Sequence, residues 1–250
     1  MKRLGACLII LTILLGGCDS SEEKPRLSMF VAFDISGSFM RSGNYDDAVD
    51  FLAHYLYAHL NGLGRLEVPN ALFVSSIGGA KEDEPKTFYP KQTFENKSVP
   101  EIAQKLREIF PKGLENPYTD FNAFFEQIAM MVRNRKLVLR PVSIVMISDG
   151  LPDVKTQGKT DFRSIELKPL EGLARNITLR LLYTSAELGK SWQTKVRRSR
   201  VKVWTQDADV MVSWKDPKIL VPEKPMEEQT AFFRWIQDNV DFGVSARRVD

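Results

Sequence analysis

Apolar and polar positions follow one another along this chain in blocks that predict strands and helices in turn. Residues 27–33 form a short, nearly unbroken apolar run containing Phe30, Val31 and Phe33, as expected of a strand buried on both faces. Residues 46–60 then place Ala48, Leu52, Tyr55, Leu56 and His59 on one side of a helix, with Asn61, Gly62 and Gly64 as its stop. A second buried strand spans 71–77 and ends at Gly78-Gly79, and a weaker, more exposed strand around 87–89 is expected at a sheet edge. Ser98 and Glu101 form an S-x-x-E capping box with Pro100 in the first turn, opening a helix that carries Ile102, Leu106 and Ile109 and stops near Pro111. A third helix runs over 120–134 with Phe121, Phe124, Phe125, Ile128 and Val132 as its inward stripe. The clearest strand is 142–147, between Pro141 and Ser148-Asp149-Gly150. Beyond it the pattern predicts a helix at 164–175, a strand at 177–183, a helix at 186–199 and strand pieces at 201–204 and 210–214. Pro217, Pro222 and Pro225 punctuate a connection to an amphipathic helix over 227–240, with Phe232, Phe233, Ile236 and Val240 on one side. Strands alternating with helices predict an α/β fold: a doubly wound, Rossmann-like, mostly parallel central sheet with helices on both faces and a C-terminal amphipathic helix. No internal repeat or long low-complexity tract interrupts it.

The first residues change the picture of what the mature chain contains. Lys2 and Arg3 precede an almost wholly apolar stretch over 4–15, followed by Gly16, Gly17 and Cys18. That is the basic, apolar and small-residue order of a secretory signal, and its apolar core is too short to span a bilayer comfortably. Leu15-Gly16-Gly17-Cys18 resembles a bacterial lipobox, which implies cleavage after residue 17 and a lipidated Cys18, a palmitate-type anchor in the membrane. Asp19 directly after it resembles the signal for retention at the inner membrane facing the periplasm, with the cell surface as the other location. The chain's two cysteines are Cys7 and Cys18, so the mature protein would hold no internal disulfide. Removing Lys2 and Arg3 with the leader leaves 33 basic against 32 acidic residues, a balance that gives no support to nucleic-acid binding. The expected organisation is a signal peptide (1–17), a polar lipidated tether (18–26), the α/β domain (27–216), and a linker with the C-terminal helix (217–250). The tether reaches only about 25 Å when extended, which keeps the domain close to the membrane.

In doubly wound sheets, ligands gather beyond the carboxyl ends of the strands. Three groups of oxygen-bearing side chains fall at such places. Asp34, Ser36 and Ser38 follow the first strand, Thr119 leads into the third helix, and Asp149 ends the strand at 142–147. Two carboxylates and three hydroxyls, without imidazole or thiolate, make a hard-oxygen set suited to Mg2+, Mn2+ or Ca2+ rather than zinc or copper. Each residue also has an ordinary reading: loop hydroxyls bond backbone, Thr119 or Asp120 can cap the following helix, and Asp149-Gly150 is a common turn. Their shared place along one edge of the sheet favours the metal set.

The D-x-S-x-S run at 34–38, the threonine at 119 and the Asp149-Gly150 pair resemble, in order and in spacing, the metal-ion-dependent adhesion site (MIDAS) of von Willebrand factor type A domains. The similarity covers about residues 27–214, and Met40 and residues 119–123 resemble the surrounding context. The resemblance implies neutral oxygens from Ser36, Ser38 and Thr119 and charge from Asp34 and Asp149, often through a water. It also implies a coordination position left for an acidic side chain of a protein partner. The function expected is therefore that of a membrane-anchored lipoprotein binding a protein ligand with an exposed Asp or Glu through a divalent cation, Mg2+ foremost, and not that of an enzyme. The alternative is a structural subunit of a membrane-associated assembly whose metal stabilises loops. A metal-assisted hydrolase is the third reading and would need a general base, for which Asp120 and Asp153 are the nearest candidates.

Other signals are set aside. His54 and His59 stand five apart and are expected to serve packing rather than a paired metal site. No G-x-G-x-x-G or P-loop follows the first strand. The basic run of Lys195, Arg197, Arg198, Arg200 and Lys202 reads first as a solvated connection and second as a contact for anionic headgroups. Trp192, Trp204, Trp214 and Trp235 read first as core filling.

Overall fold

In the computed structural model, residues 25–77, 87–113, 119–153, 155–156 and 159–241 are described, and the leader, Cys18 and Asp19 lie outside them. The strands are β1 (Ser28–Asp34), β2 (Ala71–Ile77), β3 (Tyr89–Pro90), β4 (Val142–Ile147), a small hairpin of β5 (Lys155–Thr156) and β6 (Lys159–Thr160), β7 (Ile177–Thr184) and β8 (Val201–Asp207). The helices are α1 (Gly37–Arg41), α2 (Tyr45–Leu60), α3 (Val99–Ile109), α4 (Phe121–Asn134), α5 (Lys168–Glu171), α6 (Ala186–Lys195), α7 (Ala208–Met211) and α8 (Thr230–Asn239). Six strands form one sheet in the order β3-β2-β1-β4-β7-β8, parallel except for β3, which pairs antiparallel at the edge. The predicted doubly wound α/β class is the one observed.

Successive residues of β1 point to opposite faces, so its unbroken apolar run serves two cores. Met29, Val31 and Phe33 join the core under α2, α3 and α8, while Phe30 and Ala32 join the core under α4, α5 and α6. Phe33 stacks on Phe110 at 5.1 Å and meets Phe39 and Tyr45 edge-on, at 5.7 and 5.8 Å. This ring cluster fixes the backbone immediately before Asp34. The helix starts follow local chemistry. Glu101 reaches back to the Ser98 N–H at 2.7 Å and also accepts from the Ser98 hydroxyl, and Asp120 caps α4 by accepting from the Ala123 N–H.

Two predicted elements are corrected. The helix expected at 164–175 is a 3-10 turn (Phe162–Ser164) followed by the single turn α5. Pro169 has no N–H to continue a longer helix, and Ile165, Leu167, Leu170 and Leu173 fill the core from an irregular path instead. The strand piece expected at 210–214 is α7 followed by a 3-10 turn (Val212–Lys215). Asp207 caps this segment by accepting from the Asp209 N–H. The three-residue spacing then buries Met211 and Trp214 and leaves Val212 exposed, where alternation had suggested a strand. Three bounds also move: β8 runs on to Asp207, α6 stops at Lys195, and the last helix is regular only from Thr230, after a 3-10 turn at Met226–Glu228.

The C-terminal helix is integral to the first core, which contains Phe232, Phe233, Trp235, Ile236 and Val240. Its seat depends on Gly64, whose φ is +59° and where a Cβ would lie 2.2 Å from the Phe233 ring; the Gly64 carbonyl also accepts from Gln237. Gly64→Ala is therefore expected to destabilise the fold by about 1–3 kcal/mol, since both the left-handed backbone and the helix contact oppose a methyl group. Urea unfolding checks this, and an unchanged midpoint would count against the close approach.

Candidate metal centre

The five oxygen-bearing residues singled out in the sequence occupy the carboxyl edge of the sheet and the loops around it. Asp34 is the last residue of β1 and is fully buried. Both of its oxygens accept hydrogen bonds: Oδ1 from the Ser36 N–H at 2.8 Å and Oδ2 from the Ser148 hydroxyl at 2.5 Å. Ser36 is buried at the N-cap position of the five-residue α1, and its Oγ lies 3.1 Å from that of half-buried Ser38, so the three D-x-S-x-S residues form one connected group. The helical turn within this loop was not predicted. It carries Phe39 and Met40 into the core, and that anchors the serines.

Asp149 follows β4 on the neighbouring strand, half-buried, with Oδ1 accepting from the Leu151 N–H. Gly150 takes the left-handed φ of +78°, and a Cβ there would lie 2.7 Å from Leu181 and 2.9 Å from the Trp192 ring nitrogen. Trp192 in turn donates to the Gly150 carbonyl at 2.7 Å. The Asp149-Gly150 turn is thus clamped from beneath. Thr119 lies ahead of α4 and is tied to the loop after β4 by its N–H, which donates to Asp153 Oδ2. Its hydroxyl is buried and has no hydrogen-bond partner among the described residues.

The charges are unbalanced. Burial, opposed by the Ser148 hydrogen bond and reinforced by the nearby Asp149 charge, pushes the Asp34 carboxyl up to a pKa of about 7. A buried carboxylate beside a second carboxylate favours a cation or a proton. An orphaned buried hydroxyl costs roughly 1–3 kcal/mol unless something uses its lone pairs. Both observations fit a hard divalent ion held by neutral and anionic oxygens, and the set contains no softer donor. No group of three His, Cys, Asp or Glu side chains suited to a metal occurs among the described residues, so a cation here would depend on hydroxyls.

Of the two residues weighed as general bases, Asp120 is spent on the α4 cap and Asp153 on the Thr119 N–H. The histidines pack. His54 lies 5.0 Å from Trp214, and His59 lies 4.5 Å from Tyr55 between ring centroids. Sequence reasoning missed three residues that shape the site: Ser148, Asp153 as the partner of Thr119, and Trp192. Ser148 was open to discovery as the hydroxyl adjoining Asp149. The other two depend on contacts between distant segments.

No family model matches the chain, and neither does any curated protein. Among solved structures it is similar to proximal thread matrix protein 1 from the mussel byssus, with 11% identity, a TM-score of 0.49, and coverage of 76% of this chain and 46% of that one. It is also similar to the pilus adhesin SpaC from Lactobacillus rhamnosus GG (10% identity, TM-score 0.48, 77% of this chain and 29% of that one). A third similar structure is the SpRpn10 VWA domain (12% identity, TM-score 0.40, 76% and 95%). The chain thus spans under half of the mussel protein and under a third of the adhesin. The chain itself is a six-stranded, mostly parallel sheet between two helical layers, a doubly wound α/β fold with the D-x-S-x-S loop on its carboxyl edge.

Proposed function

We propose that this chain is a membrane-anchored protein of the von Willebrand type A kind that binds a protein partner through a divalent cation at the edge of its sheet. Asp34, Ser36, Ser38, Thr119 and Asp149 would hold the ion, with Mg2+ the first choice and Mn2+ or Ca2+ the others. Two carboxylates leave a divalent ion with little surplus of coordinating negative charge, so an Asp or Glu of the partner completes the shell. The observation that carries this reading is a fully buried Asp34 carboxylate on the same sheet edge as a buried Thr119 hydroxyl that has no partner among the described residues. Lipidation at Cys18 and a periplasmic position set by Asp19 belong to the same proposal and rest on the leader sequence. Binding rather than catalysis is favoured because the two nearby carboxylates weighed as general bases already accept backbone hydrogen bonds.

The test is capture of partners from solubilised membranes with the tagged full-length chain, in Mg2+ or in chelator, alongside Asp34→Ala. Partners are expected to be lost under both perturbations. Partners retained under both would favour the assembly-subunit alternative, in which the ion only stabilises loops. Turnover of a phosphoester that disappears in Asp149→Ala would instead revive the hydrolase.

A further inference from the structure

The edge from which the parallel strands set out, opposite the metal centre, has a lopsided composition. In the turns at 25–27, 61–70, 135–141, 172–176 and 196–200 there are nine basic residues and one acid, Glu67; two further acids reach this edge already engaged, Glu171 with Ser199 and Asp241 with Arg180. A chain whose charges otherwise nearly cancel has gathered cations at one pole, while Asp34, Asp149 and Asp153 mark the other. Arg26, Arg135, Lys136 and Arg175 are exposed, and Arg140, half-buried, also donates to Asn70.

An aliphatic tip stands among these cations. Leu139 is 74% exposed and Val138 40% exposed. Leu139 is held at φ +69°, in the left-handed region that a leucine rarely enters, by its N–H donating to the Leu173 carbonyl at 2.8 Å. Neither exposing a leucine to water nor holding it in that conformation helps the isolated domain. Pro25 and Arg26 line a cleft of about 760 Å³ together with Glu67, Leu139, Pro141 and Arg175, so the residues just ahead of β1 lie at this tip.

We infer that this pole is a docking surface for an anionic phospholipid bilayer. Leu139 and Val138 enter the acyl-chain boundary, and Arg26, Arg135, Lys136, Arg140 and Arg175 meet the phosphates. The metal centre then faces away from the membrane, towards a partner. Charge complementarity draws the pole to anionic lipid, and the aliphatic tip gives it depth. An aliphatic tip lacks the aromatic platform on which nucleic-acid bases stack, and that favours lipid over another polyanion. The inference deepens the anchoring reading but stands on geometry of its own.

The test uses the processed chain from residue 18 with Cys18→Ser, which lacks both the apolar leader and any acyl anchor, and one polarity-sensitive label at Leu139→Cys or at Glu187→Cys. Glu187 is exposed at the start of α6, on the metal-centre edge. With phosphatidylglycerol-containing vesicles the label at 139 is expected to enter an apolar environment while the label at 187 stays aqueous, and phosphatidylcholine alone should move neither. Combining Arg135→Glu, Lys136→Glu and Arg140→Glu should weaken vesicle binding on the order of a hundredfold. Arg26→Glu with Arg175→Glu, both at exposed positions, should weaken it in the same direction. A label at 139 that stays aqueous on bound vesicles, or duplex DNA that competes while the label never leaves water, overturns the inference. A natively processed chain that stays off phosphatidylcholine vesicles, while the 139 label still enters anionic ones, overturns the lipid anchor and supports the docking surface. The converse overturns the docking surface alone.

Discussion

Replacing Arg180 with alanine is expected to cost the fold about 3–5 kcal/mol, because it strands a buried carboxylate. Arg180 lies in the middle of β7 and is 2% exposed. Its Nε donates to the Val240 carbonyl at 2.8 Å and lies 3.3 Å from Asp241 Oδ1, and its NH1 donates to the Ser143 hydroxyl at 2.8 Å. Asp241 also accepts from the Tyr55 hydroxyl at 3.2 Å, and His59 Nε2 faces it at 3.5 Å. One guanidinium therefore joins a central strand to the end of the C-terminal helix. Burial alone would push the Asp241 carboxyl up, but His59, Arg180 and Tyr55 outweigh it and hold the carboxyl below its ordinary value of 3.8. A depressed folded-state pKa contributes stability that is complete above the unfolded value and lost as pH falls through the folded one. The wild-type advantage over Asp241→Asn should thus persist at pH 7 and shrink below about pH 4. Urea unfolding at both pH values checks this. An Arg180→Ala loss under about 1 kcal/mol would place the pair among exposed ion pairs that contribute little.

That clasp also marks where reading the sequence stopped. The apolar runs at 71–77 and 142–147 became strands with those same bounds, because a strand buried on both faces leaves an unmistakable signal and each run is bounded by breakers such as Pro141. The chemistry at strand ends was legible for the same reason, since Asp34 and Asp149 are where the apolar runs stop. Local alternation misled at Val210, Met211 and Val212, where a cap at Asp207 and burial of Trp214 selected a helical turn. Likewise Pro169 outweighed the helical spacing of its apolar neighbours. Contacts such as Ser148 to Asp34, Trp192 to the Gly150 carbonyl and Arg180 to Asp241 join residues 114, 42 and 61 positions apart, and no local pattern encodes them.

In chelator, the protein is expected to lose stability as pH rises from 5 to 8, and a divalent cation is expected to restore it. Burial, with the Asp149 charge adding to it, raises the folded-state pKa of Asp34 from 3.8 to about 7. A raised pKa means that the folded chain holds the proton more tightly than the unfolded chain. Stability is therefore fullest below the unfolded value, declines as pH rises between the two values, and levels off above about 7. A rise of that size corresponds to a loss on the order of 4 kcal/mol across the window. A cation supplies the missing counter-charge, and at a hundred times its dissociation constant it returns about 2.7 kcal/mol. The gain should be smaller at pH 5, where the ion must displace the Asp34 proton. Asp34→Asn should flatten the pH dependence and abolish the gain, because an amide never ionises. Thr119→Val separates ligation from packing: it removes a buried hydroxyl without a partner among the described residues, so stability in chelator should hold or rise while the response to the cation falls. Thermal unfolding of the three proteins, with Mg2+ and with chelator at pH 5 and pH 8, decides the matter. If Asp34→Asn responds to Mg2+ as the parent does, the ion sits elsewhere and the proposed partner-binding chemistry has no centre.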